Sequence, residues 1–142
     1  MGSTGERVYA GGTFDLLHPG HIRFLEACAS HGTLIVSLNT DEFAARYKRA
    51  PIQTLEERLA VMGALRCVSE LMVNLDGEDS RPAIVAAGAS MVAHGSDWTG
   101  EALMRQMGFD QKWLDEHGVR MLYVDTVGGT STSDLIARCK AS

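Results

Sequence analysis

Cysteine is scarce and badly spaced: Cys28, Cys67 and Cys139 are odd in number, far apart and form no CxxC pair. That excludes a disulfide scaffold and a zinc knuckle, and leaves free, mostly buried thiols as the expectation. Positive charge is also short. Lys and Arg number 13 against 18 Asp and Glu, for a formal net charge of −5, so a broad basic face for nucleic-acid backbone is excluded. No apolar run approaches the ~20 residues needed to span a bilayer, and the N-terminus has no signal-peptide core. The expectation is a cytoplasmic chain with neither a membrane nor a nucleic acid as partner.

What is present is the material of one globular domain. The chain has 142 residues, 45% of them hydrophobic and 22% charged, which predicts a single domain over residues 1–142 with residues 1–6 as a loose leader. Strand-like runs fall at residues 7–11, 33–39, 71–75, 91–94 and 121–125, and the segments between them mostly read as helices. Helices are expected at about 20–30, 41–47, 111–117 and 133–140. Another is opened by Pro82 and closed near Gly88. Thr54 followed by Glu57 is a capping box for a helix with Leu55, Leu59, Met62 and Leu65 on its apolar side. On that helix Arg58 and Arg66 would share a face. This alternation predicts an α/β fold: a Rossmann-like, doubly wound, five-stranded parallel sheet in the order 3-2-1-4-5, with helices on both faces. Such a sheet binds ligands outside the carboxyl ends of its strands, at the switch point between the first and the fourth.

Both of the strongest motifs follow those two strands. The first is Gly12-Thr13-Phe14-Asp15-Leu16-Leu17-His18-Pro19-Gly20-His21. Glycines at 11 and 12 allow close backbone approach, and the helix N-terminus beyond offers free N–H groups to an anion. Two histidines three apart in the first turn can face one ligand. By themselves they leave open a phosphate corner, a metal pair or a plain helix start, although no third metal ligand stands at a familiar spacing. The second motif is His94-Gly95-Ser96-Asp97-Trp98. A third segment, Gly129-Thr130-Ser131-Thr132-Ser133, places hydroxyls before the last helix. They suit either a phosphate cradle or an N-cap.

In these three segments, in this order, the chain resembles the small cytidylyltransferases typified by glycerol-3-phosphate cytidylyltransferase, within the HxGH nucleotidylyltransferase superfamily. HGSDW is similar to that family's GDDW segment and GTSTS to its GISTT segment. The resemblance implies His18 and His21 as donors to the α- and β-phosphates of a nucleotide. It implies Gly12, Thr13, Phe14, Gly95, Asp97, Thr130, Ser131, Thr132 and Ser133 as further nucleotide contacts. Lys48 and Arg49 fall where the related enzymes carry lysines that engage phosphates, with a solvated basic loop as the alternative. Arg58 and Arg66 match arginines that face the family's site, and the alternative for them is salt bridging to Glu56 or Glu70. Trp98 would shield the acceptor pocket or simply pack. For Asp15, a magnesium or substrate-positioning role competes with a structural hydrogen bond to the next loop. One departure stands out: Thr126-Val127-Gly128-Gly129 replaces the arginine-led RTEG of the relatives, leaving Arg120 or Arg138 to compensate.

The activity implied is transfer of CMP from CTP to a small phosphorylated alcohol, with glycerol 3-phosphate first, giving a CDP-alcohol and pyrophosphate. Mg2+ would arrive on the nucleotide phosphates with no protein ligand of its own, and a homodimer is implied by resemblance. The alternatives are another phospho-alcohol or a phosphonate as acceptor, an ATP-using sugar-phosphate adenylyltransferase, and a catalytically silent nucleotide-binding module. The first of these is suggested by the long segment 101–117, the last by the absent arginine.

Overall fold

A computed structural model describes residues 5–96, 99–125 and 131–141. In chain order its elements are β1 (Arg7–Gly12), α1 (Pro19–Ala29), β2 (Thr33–Asn39), α2 (Asp41–Tyr47), α3 (Leu55–Gly63) and β3 (Glu70–Asn74). Then come α4 (Arg81–Ala86), β4 (Met91–Gly95), α5 (Glu101–Met107), α6 (Gln111–His117), β5 (Arg120–Val124) and α7 (Thr132–Ala141). The strands form one five-stranded sheet in the order β3-β2-β1-β4-β5, parallel throughout. That is the order and class the sequence pattern predicts.

The sheet is buried on both faces because its strands alternate between two apolar sets. Val8 and Ala10 of β1, with Leu34, Val36 and Leu38 of β2, join Leu25 and Cys28 of α1 and Met62 of α3 in one core cluster. The intervening Tyr9 and Ile35 point the other way, into a second cluster with Ile84 of α4, Met104 of α5 and Leu114 of α6. This period of two, repeated in neighbouring strands, fixes the register. β1 is central: it pairs with β2 from Arg7↔Thr33 to Gly12↔Leu38 and with β4 at Val8↔Met91 and Tyr9↔Val92. Its carboxyl end therefore opens at the switch point.

Two expectations are corrected. Glu6 is not part of a loose leader. Its carboxylate accepts from Ser90 Oγ at 2.6 Å and from Arg120 at 2.9 Å, and its carbonyl accepts from Thr33 N at 3.0 Å. The helix opened by the Thr54 capping box stops at Gly63, with Ala64 as its C-cap, so Arg58 and Arg66 do not share a helix. Leu65, Cys67 and Val68 reach the core from turns instead. Residues 101–107, to which the sequence pattern assigns no element, form a helix bounded by Gly100 (φ 86°) and Gly108 (φ 93°), conformations that glycine adopts without strain.

Candidate active site

The turn from β1 into α1 carries the histidine pair, and its geometry explains the spacing. His18 is the N-cap of α1; its Nδ1 accepts from Gly20 N at 3.0 Å. Three residues on, His21 returns the favour: its Nδ1 accepts from His18 N at 3.2 Å. This is the reciprocal logic of a capping box, with imidazoles in place of hydroxyl and carboxylate. The two rings lie 4.0 Å apart, centroid to centroid.

An Nδ1 that accepts a backbone N–H cannot carry a proton, so in each neutral ring the proton sits on Nε2. The surroundings keep both rings neutral. Burial pushes His21 down to about 4, helped by neighbouring His18 and opposed by the Asp15 carboxylate. Burial, then the Arg23 guanidinium, also lowers His18, against the pull of Asp134. The corner therefore presents two Nε2–H donors with their other nitrogens fixed to the backbone.

The loop before them is strained. Phe14 (φ 52°) and Leu16 (φ 51°) occupy the left-handed region without being glycine, at roughly 1–3 kcal/mol each. A Cβ on Gly12 would lie 2.9 Å from the Phe14 ring, so a larger residue there would push the ring aside. Between the strained residues Asp15 is 5% exposed, and its carboxylate accepts from Ile52 N at 2.7 Å and Gln53 N at 2.9 Å. These two bonds supply the structural reading of Asp15, a hydrogen bond to the next loop, while the residue also lines a cleft above the strand ends. The Asp15 carbonyl accepts from Thr132 Oγ1 at 3.0 Å, which brings the start of α7 onto the loop.

Two clefts open above the strand ends. One, about 160 Å³, is lined by Thr13, Asp15, His21, Lys48, Arg49 and Thr132, among others. It gathers cations, a neutral histidine and hydroxyls, the chemistry that receives phosphates. The second, about 200 Å³, shares Thr13 with it and reaches the ends of four strands through Gly12, Asn39, Asn74 and His94. Asn39 Nδ2 donates to Thr13 Oγ1 at 3.1 Å, holding the shared hydroxyl in place. His94, the first residue of the second motif, lines this cleft with Tyr9, Phe43 and Tyr47, a place the motif by itself does not assign to it. The signal was its place at the end of the strand adjoining β1.

The arginines depart from expectation. Arg58 is 1% exposed, and its guanidinium donates to Asp41 Oδ1 at 2.6 Å, to the carbonyls of Thr13 and Asn39 at 2.9 Å each, and to Gln53 O at 3.2 Å. It stands beneath the loop and lines neither cleft. Its acidic partner is Asp41; Glu70 pairs with Arg7 instead, at 2.8 Å. Arg66 is exposed, in the turn after α3, and lines neither cleft. Gly95 is buried at the end of β4. Ser131 caps α7, its Oγ accepting from Asp134 N at 3.1 Å, and Ser133 is exposed beside it. Asp97, Trp98, Thr130 and the segment 126–129 lie outside the described residues. Among the described residues no group of three His, Cys, Asp or Glu could hold a metal ion, and no helix is long and apolar enough to cross a membrane.

A doubly wound parallel sheet whose switch point carries an HxGH cap, a cationic rim and a hydroxyl-bearing helix start defines a nucleotide-handling α/β protein of the HxGH type. Comparison with known proteins places it more closely. The model of the family described as "Cytidylyltransferase-like" matches residues 9–136, and the chain belongs to that nucleotidyltransferase family. Relatives include the bifunctional protein HldE of Azorhizobium caulinodans, 38% identical over 136 residues that cover 94% of this chain and 27% of that one. Another is the FAD synthase of Ferroglobus placidus, 35% identical over 111 residues covering 78% and 66%. The chain thus spans about a quarter of the length of the HldE proteins it matches. Among solved structures, the lipopolysaccharide core biosynthesis protein from Thermoplasma volcanium superposes with a TM-score of 0.74 at 25% identity, covering 87% of this chain and 98% of that one. The pantothenate synthetase of Thermus thermophilus, at 15% identity and a TM-score of 0.60 over 94% of this chain and 64% of that one, shares the fold.

Proposed function

We propose that this chain transfers a nucleotidyl group from a nucleoside triphosphate to the phosphate of a small phosphorylated acceptor, releasing pyrophosphate. The observation that carries this reading is the pair of backbone-locked Nε2–H donors at the head of α1, of which His21 lines a cleft rimmed by Lys48, Arg49 and Thr132.

An acceptor phosphate oxygen attacks the α-phosphorus in line; that P–O bond forms as the bond to the β-phosphate oxygen breaks and pyrophosphate leaves. No protein nucleophile is needed, and no general base either, because a phosphate monoester is ionised near neutral pH. The protein supplies position and charge stabilisation. His18 and His21 donate to phosphate oxygens as negative charge builds, while Lys48 and Arg49 hold the terminal phosphates and the acceptor. Mg2+ would enter with the nucleotide, carried on its phosphates.

For the nucleotide, CTP is the first reading, supported by the likeness of HGSDW and GTSTS to the cytidylyltransferase segments, with glycerol 3-phosphate or another phosphorylated alcohol as acceptor. ATP with a sugar phosphate is the second. It is supported by a relative named FAD synthase, whose product contains an adenylyl group, and by a structural neighbour named for lipopolysaccharide core biosynthesis. The deciding experiment is a pyrophosphate-release screen that crosses the four common nucleoside triphosphates with phosphorylated alcohols, sugar phosphates and phosphonates. The expected result is turnover of one pair by the wild type and none by His18→Ala. Equal turnover by His18→Ala refutes the reading, and nucleotide binding without turnover on any acceptor marks a silent binding module.

A further inference from the structure

A loop with two left-handed, side-chain-bearing residues persists only where its surroundings over-determine it. Here the surroundings converge on one side chain. The Arg58 side chain is fully buried, yet it is the donor to the Thr13 carbonyl at the loop's start and to the Gln53 carbonyl in the segment that grips the loop's far side. Gln53 closes the circuit: its Oε1 accepts from Leu16 N at 3.0 Å, and its backbone N donates to the Asp15 carboxylate at 2.9 Å. One guanidinium therefore holds Thr13 directly and, through Gln53, both Asp15 and the second strained residue. It also holds the Asn39 carbonyl at the end of β2 and Asp41 at the start of α2. A planar, rigid fork can serve acceptors in several directions at once; a lysine ammonium, a point charge on a flexible stem, cannot.

We infer that Arg58 is a positioning residue for the nucleotidyl transfer proposed above, on which this inference rests. It holds the strained loop so that Thr13, His18 and His21 converge on the reacting phosphates, and it does not touch substrate. A substrate cation would need an open face, and a guanidinium enclosed by four partners has none to offer.

The test compares wild type, Arg58→Lys, Arg58→Gln, Gln53→Ala and His18→Ala in two measurements. The first is steady-state pyrophosphate release with the nucleotide and acceptor pair that the screen returns. The second is the 15N spectrum of the imidazoles in the ligand-free protein. Both Arg58 variants are expected to lower kcat by about 100-fold, the scale set by a 1 Å misplacement, with the nucleotide KM nearly unchanged. Their His21 Nδ1 resonance should lose its fixed acceptor signature, and Gln53→Ala should show the same changes in smaller degree. A folded Arg58 variant with wild-type kcat and wild-type His21 resonances overturns the inference, as does a raised KM at constant kcat, which would mark a substrate cation. If neither Arg58 variant folds, Gln53→Ala decides, and an unchanged kcat with an unchanged His21 signature refutes the brace. Should His18→Ala release pyrophosphate normally, the proposed activity fails, while the ring spectra still decide whether Arg58 fixes the loop.

Discussion

A histidine that caps a helix through Nδ1 has settled its tautomer before any ligand arrives, and that makes the spacing of His18 and His21 a matter of backbone geometry. Three residues is the distance at which an N-cap and an N3 side chain can serve each other's N–H groups. The pH behaviour follows with a definite sign. In the folded chain His21 lies at about 4 against an unperturbed 6.5, so the unfolded state takes up its proton first and acid favours unfolding. Its contribution to stability is complete above 6.5 and is lost as pH falls toward about 4. Denaturant midpoints should drop over that interval, and His21→Gln should flatten the drop; equal acid sensitivity in the variant would contradict the assignment. Asp15 makes a second prediction at this scale. Asp15→Asn replaces one oxygen that receives a backbone N–H with an amide that can only donate, so unfolding by denaturant should show a loss of about 2 kcal/mol, in the range for charged hydrogen bonds and orphaned donors.

Helix starts were legible in the sequence, and so were most helix ends, with α3 the exception. Thr40, Thr54 and Asp110 each cap with a side-chain oxygen, and the helices behind them begin where the sequence predicts. The end of α3 was misread because Leu65 continues the apolar period past Gly63; the core takes Leu65 from a turn just as well as from a helix. α5 was missed because two buried residues, Leu103 and Met104, are too few to show a period. The caps can be tested. Thr54 Oγ1 accepts from Glu57 N at 3.2 Å and Glu57 Oε1 accepts from Thr54 N at 2.9 Å, so Thr54→Ala should cost about 1 kcal/mol in chemical denaturation. Arg58 sits in the turn just after this cap, so loosening it should also lower kcat. A stability loss with unaltered kcat would separate the cap from the site.

Across the whole molecule, the sheet order was readable from alternation alone because each strand's two apolar sets must find helices on opposite faces. Which loops meet was not readable. No local pattern shows that Lys48 and Arg49 share a cleft with Thr132, 84 and 83 positions further along the chain, nor that Arg58 lies buried under the loop. Those facts come from the parallel crossovers, which return every strand end to one edge. The same arrangement sets an electrostatic problem. The chain carries a formal charge of −5 and repels a triphosphate at long range, so attraction depends on a local cationic rim. Neighbouring Arg46 is already paired with Glu78 at 3.3 Å, which leaves Lys48 and Arg49 as the rim's contribution to the phosphate cleft. Exposed charges of this kind are screened beyond roughly 10 Å at 0.1 M salt and beyond about 3 Å at 1 M. Raising ionic strength should therefore raise the wild-type nucleotide KM with little change in kcat. The double variant Lys48→Ala, Arg49→Ala should start with a KM about tenfold higher, the effect of losing roughly 1.4 kcal/mol of attraction, and should respond to salt far less. An identical salt dependence in wild type and variant would show that the pair is a solvated loop and that the field drawing the nucleotide in has another source.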